Sequence, residues 1–189
     1  MSVTQPLPHD AARLHVTGAA RYVDDTPTPR GTLHLAFGTS TVAAGKLTAL
    51  DLDAVRAAPG VVAVMTAADL PFDNDVSPSN HDEPLLATDA VHYLGQPLFL
   101  VIASSHGAAR RAARLGHATI EKTTPILTIE QAEAANSRFE DGPRIYARGD
   151  LDAGFADAPH RLSGVMEIGG QEHFYLEGQA ALALPGDNG

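Results

Sequence analysis

The sequence predicts a domain of mixed strands and helices, of the α/β or α+β class. Apolar runs of strand length recur between residues 15 and 127, and short helical segments lie between them. The chain has 189 residues, of which 44% are hydrophobic, 5% are aromatic and none is Trp. We therefore expect a core built mainly from Ala, Val, Leu and Ile.

The predicted strands have two kinds of pattern. TLHLAFGTS alternates and places Leu33, Leu35 and Phe37 on one face, whereas VVAVMT and LFLVIA are continuous apolar runs, typical of strands buried on both faces. The five predicted strands of this part of the chain are TLHLAFGTS (32–40), GKLTALDL (45–52), VVAVMT (61–66), LFLVIA (98–103) and HATIEKTTPIL (117–127).

Four short helices are predicted between or after these strands. They are DAVRAAPG (53–60), HGAARRAARLG (106–116), TIEQAEAANS (128–137) and LDAGFADAPH (151–160). Ser104 or Ser105 can cap the second helix, and Thr128 can cap the third. In the second helix the alanines form a thin face suited to packing on a sheet, with the arginines pointing away from it.

The C-terminal part predicts the start of a second sheet. RLSGVMEIGGQEH (161–173) and FYLEGQAALALP (174–185) have the pattern of two long strands, and PGDNG (185–189) that of a hairpin turn. No returning strand follows this turn. We therefore expect residues 1–189 to be the N-terminal part of a longer protein.

Charge and cysteine content exclude several classes of function. The net charge is −10, so a nucleic-acid footprint or attraction to an anionic membrane is not expected. Cysteine is absent, which excludes disulfides, thiolate zinc sites, iron–sulfur ligation and cysteine nucleophiles within these residues. The polar N-terminal stretch has no apolar core of a secretory signal, and a cytoplasmic protein is the prediction.

Most general motifs of catalysis are missing. The nine histidines form no pair at metal-ligand spacing, and each is interpreted as an ordinary surface or partly buried residue. The loop NDVSPSNHDE (74–83) places carboxylates beside His81, and is interpreted as solvated charge.

The segment GGQEHF (169–174) carries the densest polar chemistry. Two glycines inside a strand pattern indicate a bulge or the close approach of another group, and Gln171, Glu172 and His173 follow at once. Local chemistry leaves two interpretations open, a binding site and a strand end whose side chains bond to nearby backbone.

IGGQEHFYLEGQAALALP (168–185) resembles the corresponding segment of the molybdenum hydroxylases, the xanthine dehydrogenase and aldehyde oxidase family, and is most similar to its xanthine dehydrogenase branch. Upstream, VTGAARYVDD, GTLHLAFGTS and PLLATDAVHYLGQPLFLVIA are similar in order and spacing over about residues 7–186. The resemblance implies an α+β fold: an α/β-hammerhead domain followed by the start of a molybdenum-binding domain. The implied boundaries are an N-terminal arm at 1–14, the hammerhead domain at 15–127, a linker at 128–149 and the truncated cofactor domain at 150–189.

The resemblance also implies a reaction and a cofactor. These enzymes hydroxylate a carbon of a purine or an aldehyde with oxygen from water, at a molybdenum held by a molybdopterin. The glutamine of the GGQEH segment contacts an oxygen ligand of the metal, so Gln171 becomes the candidate catalytic residue, as a contact to that oxygen rather than a direct metal ligand. Gly170 and Gln171 become the candidate cofactor-binding residues.

The partners follow from the same resemblance. 2Fe-2S clusters and FAD are expected on a partner subunit, which passes electrons to NAD, and an oligomer is expected for the complete enzyme. The family's catalytic glutamate lies in a later segment of the type G-G-G-F-G-G-K-E, so residues 1–189 alone are expected to be inactive without the remainder of the molybdenum domain. Hypoxanthine or xanthine is the expected substrate. The alternatives are an aldehyde oxidase, another purine hydroxylase, or a non-catalytic module that docks subunits.

Overall fold

The computed structural model describes residues 6–138, 142, 144–175 and 178–186. The chain divides into two compact units, one formed by residues 29–144 and the other by residues 1–28 together with 145–189. The domain boundaries expected from the sequence stay a prediction.

Residues 29–144 contain two three-stranded antiparallel sheets. The first has the order β1-β5-β3 and the second the order β4-β2-β6. The strands are β1 (His34–Thr39), β2 (Gly45–Asp51), β3 (Val61–Met65), β4 (Ala90–Val91), β5 (Pro97–Ala103) and β6 (His117–Lys122). Each of the five segments predicted to be a strand in this part of the chain contains one, although the strand predicted at 117–127 ends at Lys122.

Helices α2 (Asp53–Arg56), α3 (His106–Ala113) and α4 (Ile129–Ala134) belong to the same unit. The Ser105 side chain accepts a hydrogen bond from the backbone N–H of Ala108 and starts α3, and Thr128 accepts one from the N–H of Gln131 and starts α4. Both predicted caps are confirmed. A short 3₁₀ turn lies at Ala67–Asp69.

The core lies between these sheets and helices. Its buried members are small and aliphatic apart from Phe99, as the composition predicts: Leu52, Val55, Ala87, Val91, Leu98, Phe99, Val101 and Ala112. A side chain at either Gly38 or Gly116 would overlap the ring of Phe99, so both positions require glycine for this packing.

The helix α3 packs as its alanine pattern predicts. Ala108, Ala109 and Ala112 are buried. Ala103, Ala108 and Ala109 form one buried cluster, against which Ala36 of β1 packs, and Ala112 belongs to the larger core. The arginines of the same helix are exposed. The thin alanine face lets α3 lie close to the sheet, and the arginines remain along its solvent side.

One detail of the predicted sheet is wrong. The run at 61–65 is not buried on both faces, since Val62 is 60% exposed and Ala63 is exposed as well. Leu33, Leu35 and Phe37 lie on one face, as predicted, and that face is exposed, since Ala36 and Gly38 alternate with them and face α3 and Phe99.

The second unit contains α1 (Ala12–Thr17), a 3₁₀ turn at Val23–Asp25, and α5 (Leu151–Asp157). The predicted helix at 151–160 is confirmed in its first seven residues, with the Asp150 side chain accepting from the N–H of Ala153. The helix α1 spans the position expected to divide the N-terminal arm from the first domain.

The predicted strands at 161–173 and 174–185 are wrong for the residues that can be described. Residues 158–175 and 178–186 contain neither helix nor strand. Leu162 and Val165 are fully exposed there. An apolar pattern alone does not produce a strand when no neighbouring strand supplies hydrogen bonds. Leu176 and Glu177, which belong to the second predicted strand, lie outside the described residues.

Across the described ranges, no helix has the length and apolar character needed to cross a bilayer.

Candidate functional site

The segment 169–174 is an exposed, irregular stretch of the second unit. Every residue in it is exposed, and a Cβ at Gly169 or Gly170 would meet no other atom within 4 Å. The two glycines therefore leave an open backbone surface, because no side chain of the described residues covers them.

The Gln171 side chain has no hydrogen-bond partner among the residues that the structure describes. Its amide presents two N–H donors and one oxygen acceptor to solvent. The Glu172 side chain is hydrogen-bonded to nearby backbone. Its Oε1 accepts from the N–H of His173 at 3.0 Å and from that of Phe174 at 3.4 Å.

The end of the segment is held by local contacts. The rings of His173 and Tyr175 stack with a centroid separation of 5.6 Å and an interplanar angle of 3°. Phe174, between them, has a φ of 57°, which is uncommon for an aromatic residue. The hydrogen bonds of Glu172 match the interpretation of side chains bonding to nearby backbone, whereas the His173 ring contacts another side chain and the Gln171 amide is left available. The roles of Gly170 and Gln171 in binding or catalysis stay predictions.

The acidic loop 74–83 is organised by hydrogen bonds. Oδ1 of Asp75 accepts from the backbone N–H of Ser77 at 2.9 Å and from its hydroxyl, and Oδ2 contacts Nδ1 of His81. The Ser77 hydroxyl, the Ser77 N–H and then His81 lower the pKa of Asp75 to about 2. These groups form a turn, and the serine and histidine bond to the carboxylate rather than to each other.

Two further hydrogen bonds tie this loop to the core. Asn74 donates from Nδ2 to the carbonyl of Leu86 at 2.7 Å and accepts at Oδ1 from the Leu86 N–H at 2.9 Å. Leu86 is fully buried. Asn74 thus satisfies both backbone groups of a buried residue, a structural role that the sequence analysis did not predict.

The histidines in the described ranges do not form a metal centre. No group of three or more His, Asp or Glu side chains in those ranges is placed to hold a metal ion. The rings of His34 and His106 stack with centroids 6.4 Å apart.

Two family models match the chain. Residues 17–123 match the model described as "Aldehyde oxidase and xanthine dehydrogenase, a/b hammerhead domain". Residues 135–189 match the model described as "Molybdopterin cofactor-binding domain". Gln171 lies within the second match.

Known proteins are similar over nearly the whole chain. A xanthine dehydrogenase from Drosophila subobscura is 42% identical over 188 residues, which are 98% of this chain and 14% of the relative. A xanthine dehydrogenase/oxidase from Rattus norvegicus is 40% identical over 183 residues, 97% of this chain and 14% of the relative. The crystal structure of the aldehyde oxidoreductase from Desulfovibrio desulfuricans superposes with a TM-score of 0.66 at 26% identity, over 81% of this chain and 19% of that one.

The chain thus spans about one seventh of the length of the curated relatives that it matches. The hammerhead match covers more than half of the 189 residues, and the α+β arrangement of sheets and helices fits it. The chain belongs to the aldehyde oxidase and xanthine dehydrogenase family, with an α/β-hammerhead domain followed by the beginning of a molybdopterin cofactor-binding domain.

Proposed function

We propose that these residues are the N-terminal part of a molybdenum hydroxylase that oxidises hypoxanthine or xanthine at a purine carbon. The observation that carries the proposal is the segment GGQEHFYLE, which falls within the match to the molybdopterin cofactor-binding domain. The 42% and 40% identity to xanthine dehydrogenases supports the purine over other substrates.

Gln171 fits the expected contact to a metal-bound oxygen. Its side chain is exposed, has no partner among the described residues, and can donate without losing an existing hydrogen bond. The two preceding glycines carry no side chain that would keep a bulky group away from this amide. A molybdenum cofactor, when bound, would supply the redox chemistry that places oxygen from water on the purine carbon.

The contribution of Gln171 would be electrostatic. A positioned amide N–H stabilises negative charge that develops on a neighbouring oxygen, and does so without reorganisation during the reaction. Gly170 would allow the backbone to lie close to the cofactor. The other walls of the site would come from the remainder of the molybdenum domain.

The proposal includes an electron path and a partner subunit. Electrons would pass to 2Fe-2S clusters and FAD on a partner subunit and then to NAD, within a cytoplasmic oligomer. An aldehyde oxidase is the second candidate, because a similar solved structure is an aldehyde oxidoreductase. A subunit-docking module is the non-catalytic alternative.

The proposal is tested in the complete enzyme with Gln171→Ala. One lost preorganised donor typically costs about 10²–10³ in kcat, and we expect the lower end because a metal ion carries part of the charge. Gln171→Glu should be at least as harmful, because a carboxylate would face anionic ligands. Gln179→Ala is the matched control, since Gln179 is an exposed amide in the same unit and lies eight residues further along.

The readouts are kcat for xanthine and for an aldehyde, each divided by the molybdenum content of the variant. Near-normal molybdenum with a lowered kcat supports the catalytic contact. Equal kcat per molybdenum in wild type and Gln171→Ala would show that this glutamine is structural. Turnover of the aldehyde but not of xanthine in the wild type would favour the second candidate, and turnover of neither would favour the docking module.

A separate prediction concerns the 189-residue chain by itself. The chain has about one seventh of the length of its relatives, and its described residues form no enclosed site around Gln171. We expect the purified chain to retain no molybdenum after desalting and to hydroxylate no purine. Elemental analysis provides the measurement, and stoichiometric molybdenum would contradict this expectation.

A further inference from the structure

Two adjoining grooves lie on the surface of the unit formed by residues 29–144. Their volumes are about 380 Å³ and about 390 Å³, and they share Thr39, Thr41, Ala113 and Gly116 in their lining. One groove follows β1 from Ala36 to Thr39 beside α3, and the other continues between the end of β1 and β6. Together they form one continuous surface feature, which we name the β1 groove.

The β1 groove is bordered by two strand edges that carry no partner strand among the described residues. In the order β1-β5-β3 the strand β1 is outermost, and in the order β4-β2-β6 the strand β6 is outermost. An outer strand presents a row of backbone N–H and C=O groups available to an added strand. The groove thus has the backbone chemistry needed to bind an extended peptide.

The charge of the β1 groove is opposite to that of the chain. Arg110, Arg114, His117 and Lys122 line it, and no Asp or Glu does. The chain as a whole has 23 acidic residues against 13 Lys and Arg. None of the three lysine and arginine side chains makes an ion pair among the described residues. Unpaired cations along a free strand edge favour an acidic ligand.

The face of β1 that points away from α3 is apolar. Leu35 is 55% exposed and Phe37 is 46% exposed, whereas Ala36, between them, packs towards α3. A strand added beside β1 alternates in the same way. Its acidic side chains would point to Arg110 and Arg114, and its apolar side chains would extend the surface of Leu35 and Phe37.

We infer that the β1 groove binds an extended peptide segment with alternating acidic and apolar residues, which pairs with the free edge of β1. The chain has about one seventh of the length of its relatives, so a segment of the complete enzyme outside residues 1–189 is the occupant. This inference is independent of the role of Gln171, which lies in the other unit.

The test uses the 189-residue chain and a synthetic ten-residue peptide of alternating Glu and Val, labelled with a fluorophore. Fluorescence anisotropy at low salt gives the affinity, and amide exchange locates the peptide. We expect binding with slowed exchange in β1, and at least tenfold weaker binding of the corresponding Lys and Val peptide. Added salt should weaken binding of the acidic peptide, since exposed charges are screened.

The variant is the double substitution Arg110→Glu with Arg114→Glu, which should weaken binding at least tenfold. The matched control is Arg111→Glu with Arg30→Glu, which changes the net charge equally at exposed positions that do not line the groove. Circular dichroism and thermal unfolding of both doubles check that they are folded. The control should bind within about threefold of wild type, a difference of less than ~1 kcal/mol.

Three results would overturn the inference. The first is absence of binding by the acidic peptide at about 1 mM. The second is equal weakening in both double variants, which would indicate a general effect of net charge. The third is a dimer of the unliganded chain in analytical ultracentrifugation whose exchange protection lies in β1, because a second copy would then be the occupant.

Discussion

Residues 97–103 and residues 161–168 are both rich in apolar side chains, yet their environments differ completely. Leu98 and Phe99 are 2% exposed, whereas Leu162 is 100% and Val165 is 101% exposed. β5 is the central strand of its sheet and pairs with β1 on one side and β3 on the other. Residues 161–168 pair with no strand in the part of the chain that the structure describes.

The comparison shows what an apolar pattern requires to become structure. A strand is stabilised by backbone hydrogen bonds and by side chains across the ladder, and both need a neighbour. β3 is the intermediate case, because among the described strands it pairs with β5 alone and Val62 is 60% exposed. An apolar run is thus buried only where neighbouring elements pair with it and pack against its faces.

The largest expected effect on stability comes from removing a buried side chain of β5. Phe99→Ala should lower the free energy of unfolding by about 3–5 kcal/mol, because the ring is buried and its removal leaves a cavity. Ile168→Ala is the matched change in the other region and should alter it by less than about 0.5 kcal/mol, because Ile168 is 78% exposed.

Urea unfolding followed by circular dichroism measures both variants. If Ile168→Ala lowered the free energy of unfolding by several kcal/mol, Ile168 would have to lie in a core that the described residues do not form. That result would contradict the difference between the two regions.

A smaller effect concerns pH and the loop that contains Asp75. Its pKa is lowered from 3.8 to about 2 in the folded chain, chiefly by hydrogen bonds from Ser77. A lowered folded-state pKa contributes stability that is present above about pH 4 and is lost as the pH falls towards 2. Asp75→Asn should therefore reduce the dependence of the urea midpoint on pH between about 4 and 2.

Asp82→Asn is the control for that experiment. Asp82 is exposed in the same loop, and no hydrogen bond or ion pair of its carboxylate is found among the described residues. The same pH dependence in wild type and Asp75→Asn would show that the Ser77 and His81 contacts do not act on folding.

Local signals in the sequence were sufficient for much of the first unit. Ser105 and Thr128 cap helices because their side chains accept from an N–H three residues ahead, a contact that depends only on nearby residues. The apolar run of β5 also predicted a strand buried on both faces, and this is confirmed. The outer position of β3 could not be predicted, because strand order depends on contacts between distant residues.

Contacts between distant residues also limited what could be predicted for the GGQEHF segment and the β1 groove. GGQEHF was visible as a local motif, but its surroundings depend on chain segments far from it in sequence. The β1 groove was not predicted at all. Arg110, Arg111 and Arg114 are close in sequence, but in the fold Arg110 and Arg114 line the groove with Thr39 and Arg111 does not.

Amide exchange of the backbone at 161–175 tests most directly whether the segment that carries Gln171 becomes structured only within the complete enzyme. It should be measured in the 189-residue chain as a monomer and again in the complete enzyme, with residues 97–103 as the internal standard. We expect rapid exchange at 161–175 in the chain alone, protection of 97–103 in both, and at least tenfold slower exchange at 161–175 in the complete enzyme. Strong protection of 161–175 in the isolated monomer, or equally rapid exchange in both proteins, would contradict the account.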